Sequence, residues 1–100
     1  MIDDQVLQFV IQVASREADD LGYDELRAPT AETVLYGDDN GIDSLSLVRL
    51  VAALERAAER QFGRRVVLAD ERAMSMRRSP FRTVATLAEL LQERLGGPHA

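Results

Sequence analysis

One stripe of apolar residues in the middle of the chain constrains the fold more than any other feature. Between residues 44 and 61, apolar side chains recur every three or four positions, and most charged side chains fall between them. The stripe consists of Leu47, Val48, Val51, Leu54, Ala58 and Phe62. This spacing is typical of an amphipathic helix that packs one face against a core. Gly63 follows the stripe and predicts the end of the helix, because glycine readily adopts the left-handed cap conformation.

The same periodicity predicts a first helix over residues 2–18. Its apolar positions are Ile2, Val6, Phe9, Val10 and Val13. Asp3 and Asp4 suit its first turn, because the helix dipole favours negative charge there. Leu21 followed by Gly22 supplies a stop signal.

A last helix is predicted near the C-terminus, with two candidate starts. Its apolar positions are Val84, Leu87, Leu90, Leu91 and Leu95. It begins either at Ser79, where a serine cap is followed by Pro80, or at Thr83. Glycines at 96 and 97, followed by Pro98, end it.

The connections between these helices are expected to contact the core at a few points. Residues 22–43 form a long first loop with one short helical turn between residues 30 and 36. Four apolar residues pin this loop to the core: Leu26, Val34, Leu35 and Tyr36. Residues 64–68 read as an extended connector that inserts Val67 or Leu68 into the core, and residues 69–74 as a short third helix.

These elements predict an all-α fold, a small four-helix bundle with a long first loop and a short third helix. The length of 100 residues allows one hydrophobic core, so we expect a single domain over residues 1–100. Of these, about residues 2–95 are expected to be ordered, and residues 96–100 to form a tail.

The composition provides few of the side chains that commonly act in catalysis or bind metals. The chain has no cysteine, which excludes disulfides, thiolate metal sites and thiol nucleophiles, and its one histidine, His99, lies in the predicted tail. We therefore expect no metal site and no enzyme. With no basic stretch ahead of an apolar segment at the N-terminus and no apolar run near 20 residues, we expect a cytoplasmic monomer without a membrane span.

The charge is negative overall but unevenly placed. The net charge of −5 argues against nucleic acid as a partner, because phosphate binding requires a concentrated basic surface. Residues 1–43 hold eleven acidic residues and two arginines, whereas the chain from Arg49 onward holds ten arginines and six acidic residues.

The acidic segment before residue 44 fails as a calcium loop. Placing Gly41 at the sixth position of an EF-hand puts Asp38 third and Asn40 fifth, which fits the pattern. It also puts Tyr36 first and Leu47 twelfth, where carboxylates are required.

The start of the central helix carries a more specific pattern. Asp43 and Ser44 are both residue types that cap helices, and a cap is the simplest explanation of each. However, residues 41–45, Gly-Ile-Asp-Ser-Leu, resemble the G-x-D-S-L motif of the acyl carrier protein family. Residues 47–55 are similar to the second helix of that family, and residues 79–87 resemble the start of its last helix. The resemblance covers roughly residues 2–95.

The resemblance implies a function and a set of site residues. Ser44 matches the serine to which coenzyme A donates a 4′-phosphopantetheine arm, and Asp43 and Leu45 match residues that contact partner enzymes. Val48 and Arg49, on the same helix, are further candidate partner contacts. The chain would then hold acyl intermediates as thioesters for fatty-acyl, polyketide-like or other specialised lipid biosynthesis. Its expected partners are a phosphopantetheinyl transferase, an acyl-loading ligase or acyltransferase, and acyl-modifying or acceptor enzymes.

Two other functions fit the same residues. A peptidyl or aminoacyl carrier would use the same arm with a different cargo. A helical interaction module without an arm would use Ser44 only as a cap, with Leu45 in the core.

The chain also departs from the family pattern. The second helix carries three arginines, whereas that of the fatty-acid carriers is strongly acidic, so we expect different partner enzymes. This helix is extended by about one turn near residues 57–60, and Asn40 replaces a common leucine. Residues 74–79 resemble an insertion in which Met74 and Met76 either form an apolar wall for an acyl chain or are ordinary loop residues, one of them buried.

Overall fold

A computed structural model of the chain describes residues 3–37, 41–75 and 79–96. It contains four α-helices: α1 (Asp4–Leu21), α2 (Ser44–Phe62), α3 (Glu71–Met74) and α4 (Val84–Arg94). A single 3-10 turn covers Asp24–Leu26, and the described residues form no β-strand, only one isolated bridge between Val34 and Thr83. The predicted all-α class is confirmed. Residues 97–100 of the predicted tail, His99 included, lie outside the described residues, as does Ile2.

Helix α1 begins two residues later and ends three residues later than predicted. Asp3 is its N-cap, and the Asp3 carboxylate accepts a hydrogen bond of 2.8 Å from the backbone N–H of Gln5. At the other end, Gly22 adopts a φ of 81° and donates its N–H to the carbonyl of Ala18. The helix extends past residue 18 because Leu21 still packs against the core and the left-handed cap is provided only at Gly22.

Helix α2 has the predicted length to within one residue, but its buried face is rotated. Val48, predicted in the stripe, is 62% exposed, whereas Leu50 is 2% exposed. The buried residues of α2 are Ser46, Leu47, Leu50, Val51, Ala53, Leu54, Ala57 and Ala58. The alanines extend the buried face to one side of the helix, and Val48 is left on the opposite side.

Helices α3 and α4 begin at caps that the sequence only partly indicated. Asp70 caps α3 by accepting a 2.9 Å hydrogen bond from Ala73 N–H, so α3 begins at Glu71 rather than at residue 69. Of the two candidate starts of α4, Thr83 is the N-cap, and it forms a reciprocal capping box with Thr86. Ser79 instead accepts from the N–H of Phe81 in the preceding turn.

The long first loop is held against the core and against the start of α4. Leu26 and Leu35 are fully buried as predicted, but Val34 is only half-buried and Tyr36 is 40% exposed. Leu35 N–H donates to the carbonyl of Arg82 at 2.7 Å. The helical turn of the loop lies at residues 24–26, whereas residues 30–33 form only a hydrogen-bonded turn.

The connector between α2 and α3 inserts two residues into the core. Leu68 is fully buried, as one of the two predicted alternatives required, and Val66 is 4% exposed. Val67, the other predicted alternative, is 49% exposed because side chains alternate in direction along an extended segment. Within the described ranges, no helix is long and apolar enough to cross a membrane.

Candidate functional site

Asp43, not Ser44, caps helix α2. Its backbone is extended, with φ −72° and ψ 166°, and its Oδ1 accepts a 2.7 Å hydrogen bond from the backbone N–H of Ser46. This bond satisfies one of the backbone donors that the first turn leaves without an intrahelical partner. The cap prediction is therefore correct for Asp43 and wrong for Ser44, which is the first residue of the helix.

Tyr23 fixes Asp43 from the other side. The Tyr23 hydroxyl accepts a hydrogen bond from Asp43 N–H and donates one to Asp43 Oδ2, both at 3.1 Å. Tyr23 lies in the first loop, twenty residues before Asp43, and belongs to no periodic pattern. No sequence pattern therefore indicated its role.

These hydrogen bonds lower the pKa of the Asp43 carboxyl below its usual range. The backbone N–H of Ser46 contributes most, followed by the Ser46 hydroxyl, and Tyr23 and the backbone of Leu45 contribute less. All four favour the ionised carboxylate, since they donate to it. Asp43 is therefore a fixed negative charge beside Ser44 at neutral pH.

Gly41 is required by a close approach of two backbone segments. A Cβ at this position would lie 2.8 Å from the carbonyl oxygen of Leu35 and 3.2 Å from Cα of Tyr36. The next residue, Ile42, donates its N–H to the same Leu35 carbonyl at 2.8 Å. This contact holds the end of the first loop, which leads into α2, against residues 35 and 36 of the same loop.

Ser44 is an exposed residue of the first turn of α2. Its hydroxyl makes no hydrogen bond to any of the described residues, in contrast to a capping serine. Its place in the first turn of a 19-residue helix puts it where the helix dipole favours a negative group.

Ser44 also lies at the edge of an apolar cavity of about 540 Å³. The cavity lies beside α2 and is bordered by α3, by the segments before and after α3, and by the first loop. Its lining residues are Tyr36, Ser44, Leu47, Val48, Val51, Ala52, Glu55, Ala69, Ala73, Met74, Ser79 and Phe81. Its volume falls within the range of about 300–1,000 Å³ that is typical of small-molecule sites.

Of the two methionines predicted either to form an apolar wall or to be loop residues, the structure describes one, Met74. Met74 borders the cavity but is 70% exposed, so it lies at the rim rather than inside the core. Met76 lies outside the described residues, and so does Asn40.

Two polar contacts hold the walls of the cavity, and no sequence pattern indicated either of them. Glu55 lines the cavity and accepts a 2.7 Å hydrogen bond from Leu68 N–H, which ties the connector to α2. Asp70, at the start of α3, also accepts from Nη2 of Arg94 in α4 at 2.9 Å. The connector before α3 is thus anchored to α2 through Glu55, and the start of α3 is anchored to α4 through Arg94.

The remaining predicted contact residues lie on the exposed side of α2. Leu45 is 71% exposed and Val48 is 62% exposed, while Arg49 is also exposed. The alternative placement of Leu45 in the core is therefore wrong. Together with Asp43 and Ser44, these residues form one continuous surface around the first two turns of α2.

No group of three or more potential metal-ligating side chains occurs in the part of the chain that the structure describes. Asp38 and Asn40, the residues that fitted the calcium pattern, lie outside that part. Comparison with known proteins finds no matching family model, no matching curated protein and no matching solved structure.

Proposed function

We propose that the chain is an acyl carrier protein that holds acyl groups as thioesters on a 4′-phosphopantetheine arm attached to Ser44. One observation carries this proposal: the exposed hydroxyl of Ser44, which no described residue engages, lies at the start of a long helix and at the edge of an apolar cavity. The resemblance of residues 41–45 to the carrier motif gives the same serine this role.

The residues around Ser44 fit a phosphodiester. The N-terminus of α2 favours a negative group, and the Ser44 hydroxyl would need to break no hydrogen bond with the described residues. The neighbouring Asp43 carboxylate is held by Ser46 and Tyr23, so both of its oxygens are engaged by the protein. The arm would supply a terminal thiol, which this cysteine-free chain lacks.

Attachment requires one displacement at phosphorus. Ser44 Oγ forms a bond to the phosphorus that bears pantetheine in coenzyme A, and the pyrophosphate bond to adenosine 3′,5′-bisphosphate breaks. The hydroxyl proton passes to a base of the transferase, because the Ser44 hydroxyl makes no hydrogen bond to a base among the described residues. The chain itself presents the nucleophile and the surface around it.

The cavity favours an acyl cargo over an aminoacyl one. Its walls are mainly aliphatic and aromatic, with Leu47, Val51 and Phe81 among them. Burial of an acyl chain there would remove apolar surface from water, which stabilises the bound chain by about 0.8 kcal/mol for each buried methylene. It would also shield the thioester from hydrolysis. In this role the chain works as a cytoplasmic monomer with the transferase, an acyl-loading enzyme and acyl-modifying or acceptor enzymes as its partners.

Intact mass spectrometry tests the proposal. The protein is incubated with coenzyme A and a broad-specificity phosphopantetheinyl transferase, and the expected result is the gain of one phosphopantetheinyl group. Ser44→Ala should gain nothing. Ser79→Ala is the matched control, because Ser79 lines the same cavity, and it should be modified like the wild type.

The other outcomes identify the alternatives. No gain in the wild type, or an equal gain in Ser44→Ala, would refute the attachment and leave a helical interaction module without an arm. If the arm attaches but only an adenylating enzyme with an amino acid loads it, the chain is an aminoacyl carrier.

A further inference from the structure

Three arginines form a stripe along the exposed side of α2. Arg49, Arg56 and Arg60 are separated by seven and four positions, which places them within a sector of about 40° on a helix. All three are exposed, and none makes a hydrogen bond or ion pair with the described residues. Other arginines of the chain do pair, for example Arg27 with Asp19 at 2.6 Å.

The stripe borders an apolar patch. Leu45 and Val48 are the most exposed large apolar residues of α2, at 71% and 62%, and Leu45 lies at the end of the stripe nearest Ser44. We call Leu45, Val48, Arg49, Arg56 and Arg60 the arginine face. The face runs about 22 Å from Leu45 to Arg60 along the helix axis.

The carboxylates on α2 do not neutralise this face. Glu55 is turned to the cavity wall, where it accepts from Leu68 N–H, so Glu59 is the one exposed carboxylate of the helix. Three exposed arginines opposed by one exposed carboxylate make a basic surface on a chain whose net charge is −5.

We infer that the arginine face docks a partner protein whose binding site presents carboxylates around an apolar recess. Arginine binds carboxylates with two parallel hydrogen bonds, so an acidic rim would engage Arg49, Arg56 and Arg60 while the recess receives Leu45 and Val48. The identification of this partner as an enzyme that serves Ser44 rests on the proposed function. The preference of the surface for an acidic partner is independent of that function.

A protein fits this surface better than a nucleic acid does. Phosphate binding requires a dense basic surface, whereas the arginine face has an apolar end and adjoins the Asp43 carboxylate. The acidic residues in positions 1–43 would also repel a nucleic acid, because it carries negative charge along its whole length. A protein with one localised acidic site can contact the arginines without approaching those residues.

Two synthetic peptides test the inference on the unmodified full chain. Both are amphipathic helices with the same leucines, and one carries glutamate and the other lysine at the flanking positions. Amide chemical shifts of the ¹⁵N-labelled protein report each titration. We expect the glutamate peptide to bind about tenfold tighter at low salt and to shift amides of α2, because exposed ion pairs are individually weak but act together. The preference should fall near 1 M salt, where the Debye length is about 3 Å.

Matched charge reversals locate the effect. Arg49→Glu, Arg56→Glu and Arg60→Glu together should invert the peptide preference. Arg16→Glu, Arg65→Glu and Arg82→Glu change the net charge equally at other exposed arginines and should preserve it. A second variant combines Arg49→Gln, Arg56→Gln and Arg60→Gln, and it should abolish the preference without adding negative charge.

Several outcomes would overturn the inference. Equal binding of the two peptides, shifts outside α2, or an equal loss in the control triple would each do so. Concentration-dependent shifts of α2 and α1 in the protein alone would assign the face to a second copy of the chain. Binding to phosphatidylserine vesicles through the same arginines, without binding of the glutamate peptide, would assign it to a membrane surface. Since the peptides require no arm, a failed attachment to Ser44 would leave this result intact.

Discussion

Tyr23 and Asp43 hold each other through two hydrogen bonds of 3.1 Å, one to the backbone N–H of Asp43 and one to its carboxylate. The pair joins the first loop to the N-terminus of α2, and Asp43 Oδ1 continues the connection to Ser46. The orientation of the first turn, and therefore of Ser44, depends on this connection.

Replacement of Tyr23 by phenylalanine should loosen the start of α2. The ring and its packing are retained and both hydrogen bonds are lost, so we expect the free energy of unfolding to fall by about 0.5–1 kcal/mol. Chemical denaturation measures this change. Tyr36→Phe is the control, since the Tyr36 hydroxyl makes no hydrogen bond with the described residues, and it should change stability by less. An equal loss in the two variants would show that the Tyr23 hydroxyl contributes nothing specific.

The lowered pKa of Asp43 predicts a stability contribution that is lost in acid. The folded protein holds the proton of this carboxyl less tightly than the unfolded chain, whose reference pKa is 3.8. The contribution is thus complete above that pKa and disappears as the pH falls through the lower, folded-state pKa. Unfolding measured from pH 7 down to pH 2 should show the wild type losing its advantage over Asp43→Asn below about pH 4. Asparagine keeps an oxygen for the cap but does not titrate, so a pH-independent difference would contradict the prediction.

Gly41→Ala should be more disruptive than its partly exposed position suggests. The new Cβ would meet backbone atoms of Leu35 and Tyr36, which cannot rotate away, and we expect a loss of about 1–3 kcal/mol. Gly22→Ala is a useful comparison because nothing lies within 4 Å of its Cβ position and only its φ of 81° is unfavourable. Both variants should be destabilised, but only Gly41→Ala should shift the amide resonances of residues 42–44. Unchanged resonances there would argue against the close approach.

The sequence predicted the helices better than their ends and faces. The apolar period of residues 44–61 was sufficient to identify α2, because few other structures bury that pattern. This period could not show that Val48 is exposed. The buried face of α2 includes small alanines on the other side of the helix, and their packing turns Val48 away from the core. At the helix start, two adjacent cap-forming residues competed, and Asp43 is selected by Tyr23 and by the close packing of Gly41, which are contacts between distant segments.

The candidate site was predictable only where its residues are adjacent in the chain. Asp43, Ser44 and Leu45 follow one another, so a short motif contains them. The cavity is formed by residues from the first loop, α2, α3 and the segment before α4, and no local pattern links Tyr36 with Phe81. Such an arrangement depends on tertiary packing, which periodicity does not describe.

Leu45 and Leu54 should separate surface from core within one helix. Leu54 is fully buried, so Leu54→Ala should reduce the free energy of unfolding by about 2–5 kcal/mol. Leu45 is 71% exposed, and Leu45→Ala should change it by less than about 0.5 kcal/mol. Under the proposed function, Leu45→Ala should nevertheless lower kcat/KM of the transferase for the carrier. A stability loss in Leu45→Ala as large as that in Leu54→Ala would place Leu45 in the core.

Asp70 and Arg94 connect α3, one wall of the cavity, to α4. The Arg94 side chain is only 15% exposed, and its Nε is buried without a partner among the described residues, so this arginine depends on Asp70. Asp70→Asn keeps an oxygen that can cap α3 but removes the opposing charge. Because Asp70 itself is 36% exposed, we expect a loss of about 1–2 kcal/mol, less than for a fully buried pair.

A double-mutant cycle with Asp70→Asn and Arg94→Met measures this coupling. The ion pair between Arg72 and Glu93 is the control, because its side chains are 74% and 47% exposed, and its coupling should stay below about 0.5 kcal/mol. Loss of the Asp70–Arg94 contact should also shift the resonances of Ala73 and Met74, since Arg94 ties the residue that caps the single-turn helix α3 to α4. Equal coupling in the two pairs, or unchanged α3 resonances, would show that Arg94 does not position the cavity wall.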